Sequence, residues 1–381
     1  MSTPSVSVVS VDTSSSVGAT GIDARERRDA LVDRLVASTT STLEMFSIHL
    51  GRELGLYHAL AAAPLTYPEL AGRAAISPRY SREWLEQQAV AGLLDVVDPR
   101  QPSAEHRRYA LPPAHRPVLL EPEAETHVAP LADMVAGVAG VLSFLPEAYR
   151  QGGGVPYAEY GSAFRRGQAG VNRPAITHDL TAWVTALPDV TARLSTDPIG
   201  RIADIGCGEG WSTVSLAREF PLASVDGYDS DPASVEAARQ HAVEAGVGDR
   251  VAFHTVDASD SEGLRGPCDL VLVFEALHDF ARPVDVLTGL RSALADDGVV
   301  LVADERVADH FTAPGDEVER LMYGWSVTHC LPASLAEAPS AGLGTVLRSS
   351  TVHALASQAG FRASVELPIA NDFFRFYRLD R

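Results

Sequence analysis

The feature that most constrains the fold is a loop of alternating glycines, Asp204-Ile-Gly-Cys-Gly-Glu-Gly210, between a short apolar run and a helical pattern. Glycines at alternate positions let the backbone turn sharply and approach a ligand at van der Waals distance. From Arg201 onward, short apolar runs alternate with helical patterns, which is typical of a parallel sheet. The sequence therefore predicts an α/β, Rossmann-like domain in which the turn after its first strand holds a ligand.

The rest of this region supplies the other elements of a seven-stranded sheet. The predicted strands are Ile202–Ile205, Ser224–Tyr228, Val251–Thr255, Leu270–Phe274 and Val299–Ala303, with a closing antiparallel pair at Arg362–Leu367 and Phe373–Leu379. The predicted helices between them are Ser212–Phe220, Pro232–Ala245 and Val284–Ala295.

Acidic residues around the loop indicate a ligand without a pyrophosphate. Asp204 precedes the glycines and would repel a pyrophosphate, whereas a cationic ligand would favour it. The second strand ends at Asp229, where a carboxylate can bind both ribose hydroxyls, and the third ends at Asp257-Ala258, suited to an adenine amino group. The GxGxxG spacing of NAD-binding loops is absent.

This combination of loop and strand-end acids resembles the class I S-adenosylmethionine-dependent methyltransferases over residues 200–305. The resemblance implies S-adenosylmethionine as cofactor, with the glycine loop on its methionine part, Asp229 on the ribose and Asp257 on the adenine. The cofactor site that we expect comprises Asp204, Gly206, Gly208, Gly210, Asp229, Asp257, Ala258 and Phe274.

The region before residue 122 has the pattern of a winged helix. It shows predicted helices at 54–62, 67–75 and 78–94, then short strands at 95–99 and 107–111. The third helix carries Arg79 and Arg82 against Glu83, Glu86 and Asp95, so it lacks the cationic face of a DNA reader. We therefore expect a homodimerisation and substrate-covering domain, with a cofactor-sensing transcription regulator as the alternative.

Length and charge set the remaining limits. A chain of 381 residues is longer than one ordinary hydrophobic core accommodates. We therefore divide it into a disordered tail (1–22), a winged-helix domain (23–122), a helical connector lining the substrate pocket (123–196) and the methyltransferase domain (197–381).

The net charge of −19 disfavours nucleic-acid partners. Three cysteines form no disulfide framework, which predicts a cytoplasmic protein. The apolar stretch 129–145 contains Asp133 and is too short for a membrane span.

The reaction chemistry is expected at the end of the fourth strand, which continues into His278 and Asp279. Ligands bind at the carboxyl ends of parallel strands, and an imidazole there could take a proton from a phenol or alcohol. With the winged-helix front, the Leu-His-Asp segment resembles the small-molecule O-methyltransferases of plants and bacterial natural-product pathways. In that family the matching histidine is the general base, although Phe280 stands here where the family often has tryptophan.

A later histidine leaves a metal-assisted alternative open. His329, in Ser-Val-Thr-His-Cys-Leu-Pro, could join His278 and Asp279 in a two-histidine, one-carboxylate site for non-haem iron. This spacing resembles the bacterial phenylpyruvate C-methyltransferases, in which a metal would chelate an α-keto acid. Most of residues 25–381 also resembles uncharacterised actinobacterial methyltransferases with a winged-helix front. The predicted small-molecule pocket comprises Tyr157, Tyr160, Tyr323, Trp325 and His329.

Overall fold

A computed structural model describes residues 23–196, 199–260 and 263–381. The tail predicted for residues 1–22 lies outside the described residues. The chain divides into two units, one ending at Glu44 and a compact one from Met45 to Arg381. The division falls within the first helix, α1 (Ala24–Glu53).

Three short helices and a two-stranded hairpin follow α1, in the element order that the winged-helix pattern predicts. They are α2 (Leu56–Ala61), α3 (Tyr67–Ala74), α4 (Pro78–Val90), β1 (Asp95–Val96) and β2 (Tyr109–Ala110). Both strands are shorter than predicted, because Pro99 and the polar loop after it cannot continue a ladder.

Local sequence signals set the starts of these helices to different degrees. Thr66 and Glu69 form a reciprocal capping box at α3. Ser77 precedes Pro78, the first residue of α4, with an extended backbone, but its side chain makes no capping hydrogen bond. On α4, Arg79 and Arg82 form ion pairs with Glu83 and Glu86 of the same helix.

The connector is helical, as predicted. Its helices are α5 (Arg116–Leu119), α6 (Leu131–Val141), α7 (Leu145–Gln151), α8 (Gly161–His178), α9 (Leu180–Thr185) and α10 (Pro188–Leu194). Helices α6 and α8 pack closely because Gly137 leaves room for Phe164; a Cβ at Gly137 would lie 2.6 Å from the Phe164 Cβ.

Most of the apolar stretch 129–145 forms α6. Its one acidic residue, Asp133, is buried and accepts hydrogen bonds from His49 Nδ1 (2.7 Å) and Arg52 Nε (2.9 Å). No single helix among the described residues is long and apolar enough to cross a membrane. Helices α6 and α7 meet that criterion only together, as a pair bent by 64°.

The carboxy-terminal half is a seven-stranded mixed sheet, as predicted. Its strands are β3 (Arg201–Ile205), β4 (Ser224–Asp229), β5 (Val251–Thr255), β6 (Cys268–Phe274), β7 (Leu294–Glu305), β8 (Ala363–Glu366) and β9 (Phe374–Asp380). Their order is β5-β4-β3-β6-β7-β9-β8, and β9 runs antiparallel to both its neighbours. The order reverses direction at β3, the switch point at which such sheets bind ligands.

Helices cover this sheet on both faces. On one face lie α11 (Trp211–Glu219) and α12 (Pro232–Glu244), and on the other α13 (Pro283–Ala293) and α16 (Ser349–Gln358). The segment between β7 and α16 forms α14 (Glu317–Trp325) and α15 (Leu331–Leu335). Alternate strand residues enter two different cores: Ile202 and Leu270 lie in one, Ala203 and Val271 in the other. This period of two explains why the strands are continuous apolar runs.

Candidate active site

The glycine loop leaves β3 at Ile205 and enters α11 at Trp211, as the sequence predicts. Gly206 has a φ of +70°, and a Cβ there would lie 2.6 Å from the Ala276 Cβ. Gly208 has a φ of +52°, and no atom lies within 4 Å of where its Cβ would be. Glycine is required at position 206 by the close packing on Ala276 and by the positive φ, whereas Gly208 borders empty space.

That space is a cavity of about 350 Å³ at the carboxyl ends of β3, β4 and β6. The predicted cofactor residues that line it are Gly206, Gly208, Gly210, Asp229, Asp257, Ala258 and Phe274. Asp229 ends β4 and accepts hydrogen bonds from the backbone N–H of Gly208 (2.8 Å) and of Asp231 (2.9 Å). Burial raises the pKa of Asp229 above its ordinary value, although both backbone donors act in the opposite direction.

Two predicted cofactor residues differ from expectation. Asp204 does not line the cavity; its buried carboxylate accepts hydrogen bonds from Ser212 Oγ and Thr213 Oγ1, both at 2.6 Å, at the start of α11. Burial raises the pKa of Asp204 to about 6. Asp257 lines the cavity but is half exposed and already binds Arg282 Nη2 at 2.9 Å. Side-chain packing, which a local pattern does not specify, sets both arrangements.

A second cavity, of about 530 Å³, adjoins the first. Gln168 and Asn172 of α8 and Glu275, which directly follows β6, line both cavities. Glu275 has a φ of +53°, a left-handed conformation that costs free energy for any residue except glycine, and its carboxylate accepts a hydrogen bond from Asn172. Burial raises the pKa of Glu275 to about 7.

His278 lines this second cavity and lies among carboxylates. Its Nδ1 is 2.8 Å from Asp304 Oδ1 and 3.3 Å from Glu305 Oε2, and its Nε2 is 3.4 Å from Asp279 Oδ1. Burial alone would lower the pKa of His278, but these three carboxyl groups raise it well above its ordinary value. With Nδ1–H donated to Asp304, the Nε2 atom is left to exchange a proton with a molecule in the cavity.

The two acidic partners of His278 differ in protonation. Burial would raise the pKa of Asp304, but the His278 imidazolium lowers it, so Asp304 is ionised. Burial raises the pKa of Glu305 well above its ordinary value, so Glu305 keeps its proton to higher pH than an ordinary glutamate. Asp304 and Glu305 end β7, beside the carboxyl end of β6.

His329 lies in the same cavity, within an aromatic cluster. Its ring packs on Phe164 (centroids 4.1 Å apart), Tyr160 (4.6 Å) and Tyr157 (5.7 Å). Burial lowers the pKa of His329 to about 4, so the ring is neutral. Among the described residues, the groups whose atoms are close enough to share a metal ion are His278-Asp279-Cys330 and His278-Asp304-Glu305. His329 belongs to neither, so the predicted His278/Asp279/His329 iron site is not brought together.

The other predicted pocket residues are divided by the fold. Trp325 lines the second cavity, whereas Tyr157 lines the first. Tyr160 is buried under His329 and donates to the Thr328 carbonyl at 2.9 Å. Tyr323 lines neither cavity and is 38% exposed, because it lies on the outer side of α14.

Sequence reasoning missed Glu275 and Asn172, the residues at the junction of the cavities. Glu275 directly follows a predicted strand. The rule that ligands bind at the carboxyl ends of parallel strands, which identified His278, would therefore also have identified Glu275. Asn172 is one polar residue of a long helix, and no local signal indicates that it reaches a residue 103 positions away.

Comparisons with known proteins define the class. A family model described as a methyltransferase domain matches residues 197–338. The human N-acetylserotonin methyltransferase, solved with S-adenosylmethionine, has a TM-score of 0.66 at 17% identity, over 96% of this chain and 99% of that one. For the mitomycin 7-O-methyltransferase MmcR, the TM-score is 0.62 at 19% identity, over 93% of this chain and 99% of that one. The chain therefore has the class I methyltransferase fold, in the architecture of the O-methyltransferases.

A curated relative found by sequence similarity is also a methyltransferase, and it matches part of the chain. The trans-aconitate 2-methyltransferase of Streptomyces coelicolor is 35% identical over 140 residues, which are 37% of this chain and 43% of the relative. The chain thus spans less than half the length of that relative.

Proposed function

We propose that this protein is an S-adenosylmethionine-dependent methyltransferase acting on a small-molecule acceptor. The observation that carries the proposal is the junction of the two cavities at Glu275. The glycine loop and Asp229 line the first cavity, and His278 lines the second. Cofactor and acceptor bound on the two sides would meet in a space enclosed by protein, where alignment and exclusion of water favour the transfer.

The residues of the first cavity suit this cofactor. When bound, S-adenosylmethionine supplies a methyl group on a positively charged sulfonium. Carboxylates favour such a cation, and Glu209, Asp229, Glu275 and Asp279 line the cavity. The lining arginines are already paired: Arg165 binds Asp231 and Arg282 binds Asp257.

His278 is the proposed general base for O-methylation. Asp304 accepts its Nδ1–H and thereby holds the tautomer whose Nε2 can accept the proton of a hydroxyl group in the cavity. Because its pKa is raised, His278 becomes a free base only at higher pH than an ordinary histidine. Activity should therefore rise with pH as the imidazolium loses its proton.

Calorimetric titration with S-adenosylmethionine tests the cofactor site. Asp229→Asn should weaken binding by about 10- to 100-fold, since a hydrogen bond to a charged group contributes about 1.5–3 kcal/mol. Asp257→Asn is the matched control and should weaken binding less, because Asp257 is half exposed and paired. Equal affinities for Asp229→Asn and the parent protein would contradict the assignment. Formation of S-adenosylhomocysteine with a panel of phenols and alcohols tests the reaction itself.

We also propose that the protein is a homodimer through its amino-terminal region. The apolar residues Leu31, Val32, Leu35 and Val36 of α1 are all more than half exposed, at 53–63%. They recur at positions i, i+1, i+4 and i+5, which places them on one face of the helix.

A further inference from the structure

The walls of the second cavity indicate the charge of its ligand. The sequence contains no lysine, so its 31 basic side chains are all arginine. Among the described residues that line this cavity, none is an arginine. Its acidic lining residues are Glu275 and Glu305 inside, with Glu125 and Asp179 exposed at the opening.

Buried polar atoms with no partner mark the inner end of this cavity as a binding surface. Within the described residues, Glu305 Oε2, His329 Nε2 and Thr345 Oγ1 make no hydrogen bond, and each of these side chains is at most 4% exposed. Such atoms are costly unless a ligand supplies partners. The remaining wall contains Trp325, Phe373 and Phe374, which suit a planar apolar body.

We propose that the second cavity binds a small, amine-bearing aromatic acceptor and excludes carboxylates. This inference rests on the proposed methyl transfer and specifies the acceptor. A buried carboxylate would lie beside Glu275 and Glu305, and the one imidazolium in this wall, His278, is already paired with Asp304, which makes such a ligand strongly unfavourable. Trans-aconitate carries three carboxylates, so this cavity is unsuited to the acceptor named for the Streptomyces coelicolor relative.

Glu275 has a specific role in this proposal. It lines both cavities, so its carboxylate lies between a cation in the first cavity and an ammonium group in the second. A carboxylate at that position attracts both cations and offsets their mutual repulsion. Because the pKa of Glu275 is about 7, a neighbouring cation would keep it ionised at neutral pH.

The test compares ligands that share one ring system and differ in charge. The dissociation constants of 5-hydroxytryptamine, 5-hydroxyindole-3-acetate and trans-aconitate are measured with the full chain by calorimetry at pH 7.5. The unreactive S-adenosylhomocysteine is present in one series and absent in the other. We expect the amine to bind at least about tenfold more tightly than the matched carboxylate, and trans-aconitate not to bind. Glu275→Gln should reduce the preference for the amine.

The outcomes separate the two proposals. Equal affinities for the two indoles, no binding of either, a preference for the carboxylate, or methylation of trans-aconitate would overturn the acceptor inference. Failure of S-adenosylhomocysteine to bind would instead contradict the proposed cofactor site, while the series without it still tests the charge preference of the second cavity. If Glu275→Gln fails to fold, the ligand comparison with the parent protein decides alone.

Discussion

Replacing each of the two acidic partners of His278 by its amide, one at a time, should change the pKa of His278 by different amounts. Asp304→Asn removes a carboxylate whose pKa is lowered, whereas Glu305→Gln puts an amide of nearly the same shape in place of a carboxyl group whose pKa is raised. Coulomb attraction varies as 1/r, and the distances to His278 Nδ1 are 2.8 Å from Asp304 and 3.3 Å from Glu305. Even at equal charge, the ratio of 3.3 to 2.8 makes Asp304 about 1.2 times as effective. Because the pKa of Asp304 is lowered and that of Glu305 is raised, Asp304 carries more of the negative charge, and the difference between the two variants is larger than this ratio.

Asp304→Asn should therefore lower the pKa of His278 towards its ordinary value, while Glu305→Gln should lower it less. The sign follows from charge: a carboxylate stabilises the imidazolium, so its removal lets the proton leave at lower pH. Losing the anion that orients Nδ1–H should also lower kcat by about 10²–10⁴-fold. The acid limb of the pH–rate profile should move to lower pH in the same variant.

Nitrogen NMR of protein labelled with ¹⁵N-histidine measures this pKa without any acceptor. His278 is assigned by comparison with His278→Gln, and the titration is repeated for both variants. Equal shifts in the pKa of His278 in the two variants would contradict the unequal charges that the opposite pKa shifts of Asp304 and Glu305 imply. An unchanged titration in Asp304→Asn would refute the role of Asp304 itself.

Further predictions concern turnover, packing and assembly. His278→Ala should lower turnover, measured by kinetics, by about 10²–10⁴-fold and should change the affinity for S-adenosylmethionine, measured by calorimetry, less than threefold. An equal loss of turnover and of affinity would argue against His278 as a general base. Gly137→Ala should destabilise the protein by about 1–3 kcal/mol in urea unfolding, because its Cβ would lie 2.6 Å from Phe164. A Cβ at Gly140 in the same helix would meet no atom within 4 Å, so Gly140→Ala should stabilise the protein by about 0.5–1 kcal/mol. If Gly137→Ala and Gly140→Ala changed the free energy of unfolding in the same direction, the close packing of Gly137 on Phe164 would be refuted. Leu35→Glu should convert the dimer to a monomer, as measured by light scattering. Ser41→Glu, on the opposite face of α1, is the control and should leave the dimer intact. A parent protein that is already monomeric would exclude the proposed interface.

The sequence alone predicted the elements around the site. The strands of the sheet and the turn from Ile205 to Trp211 lie within a few residues of their predicted positions. These features depend on local periodicity and on glycines with positive φ, which neighbouring residues determine. For the same reason His278 and Asp229 could be located from their positions at strand ends.

Tertiary structure alone decided which of these side chains meet. Asp304 and His278 lie 26 positions apart and form one hydrogen-bonded pair, while His329 packs in an aromatic cluster and does not join His278 and Asp279 in one group of mutually close ligand atoms. Asn172 reaches Glu275 across 103 positions and brings two cavities together. Such contacts depend on how helices pack on a sheet, and packing joins residues whose separation along the chain carries no periodic signal. Sequence patterns therefore located the side chains at the strand ends, while packing determined which of them meet and the direction in which each pKa shifts.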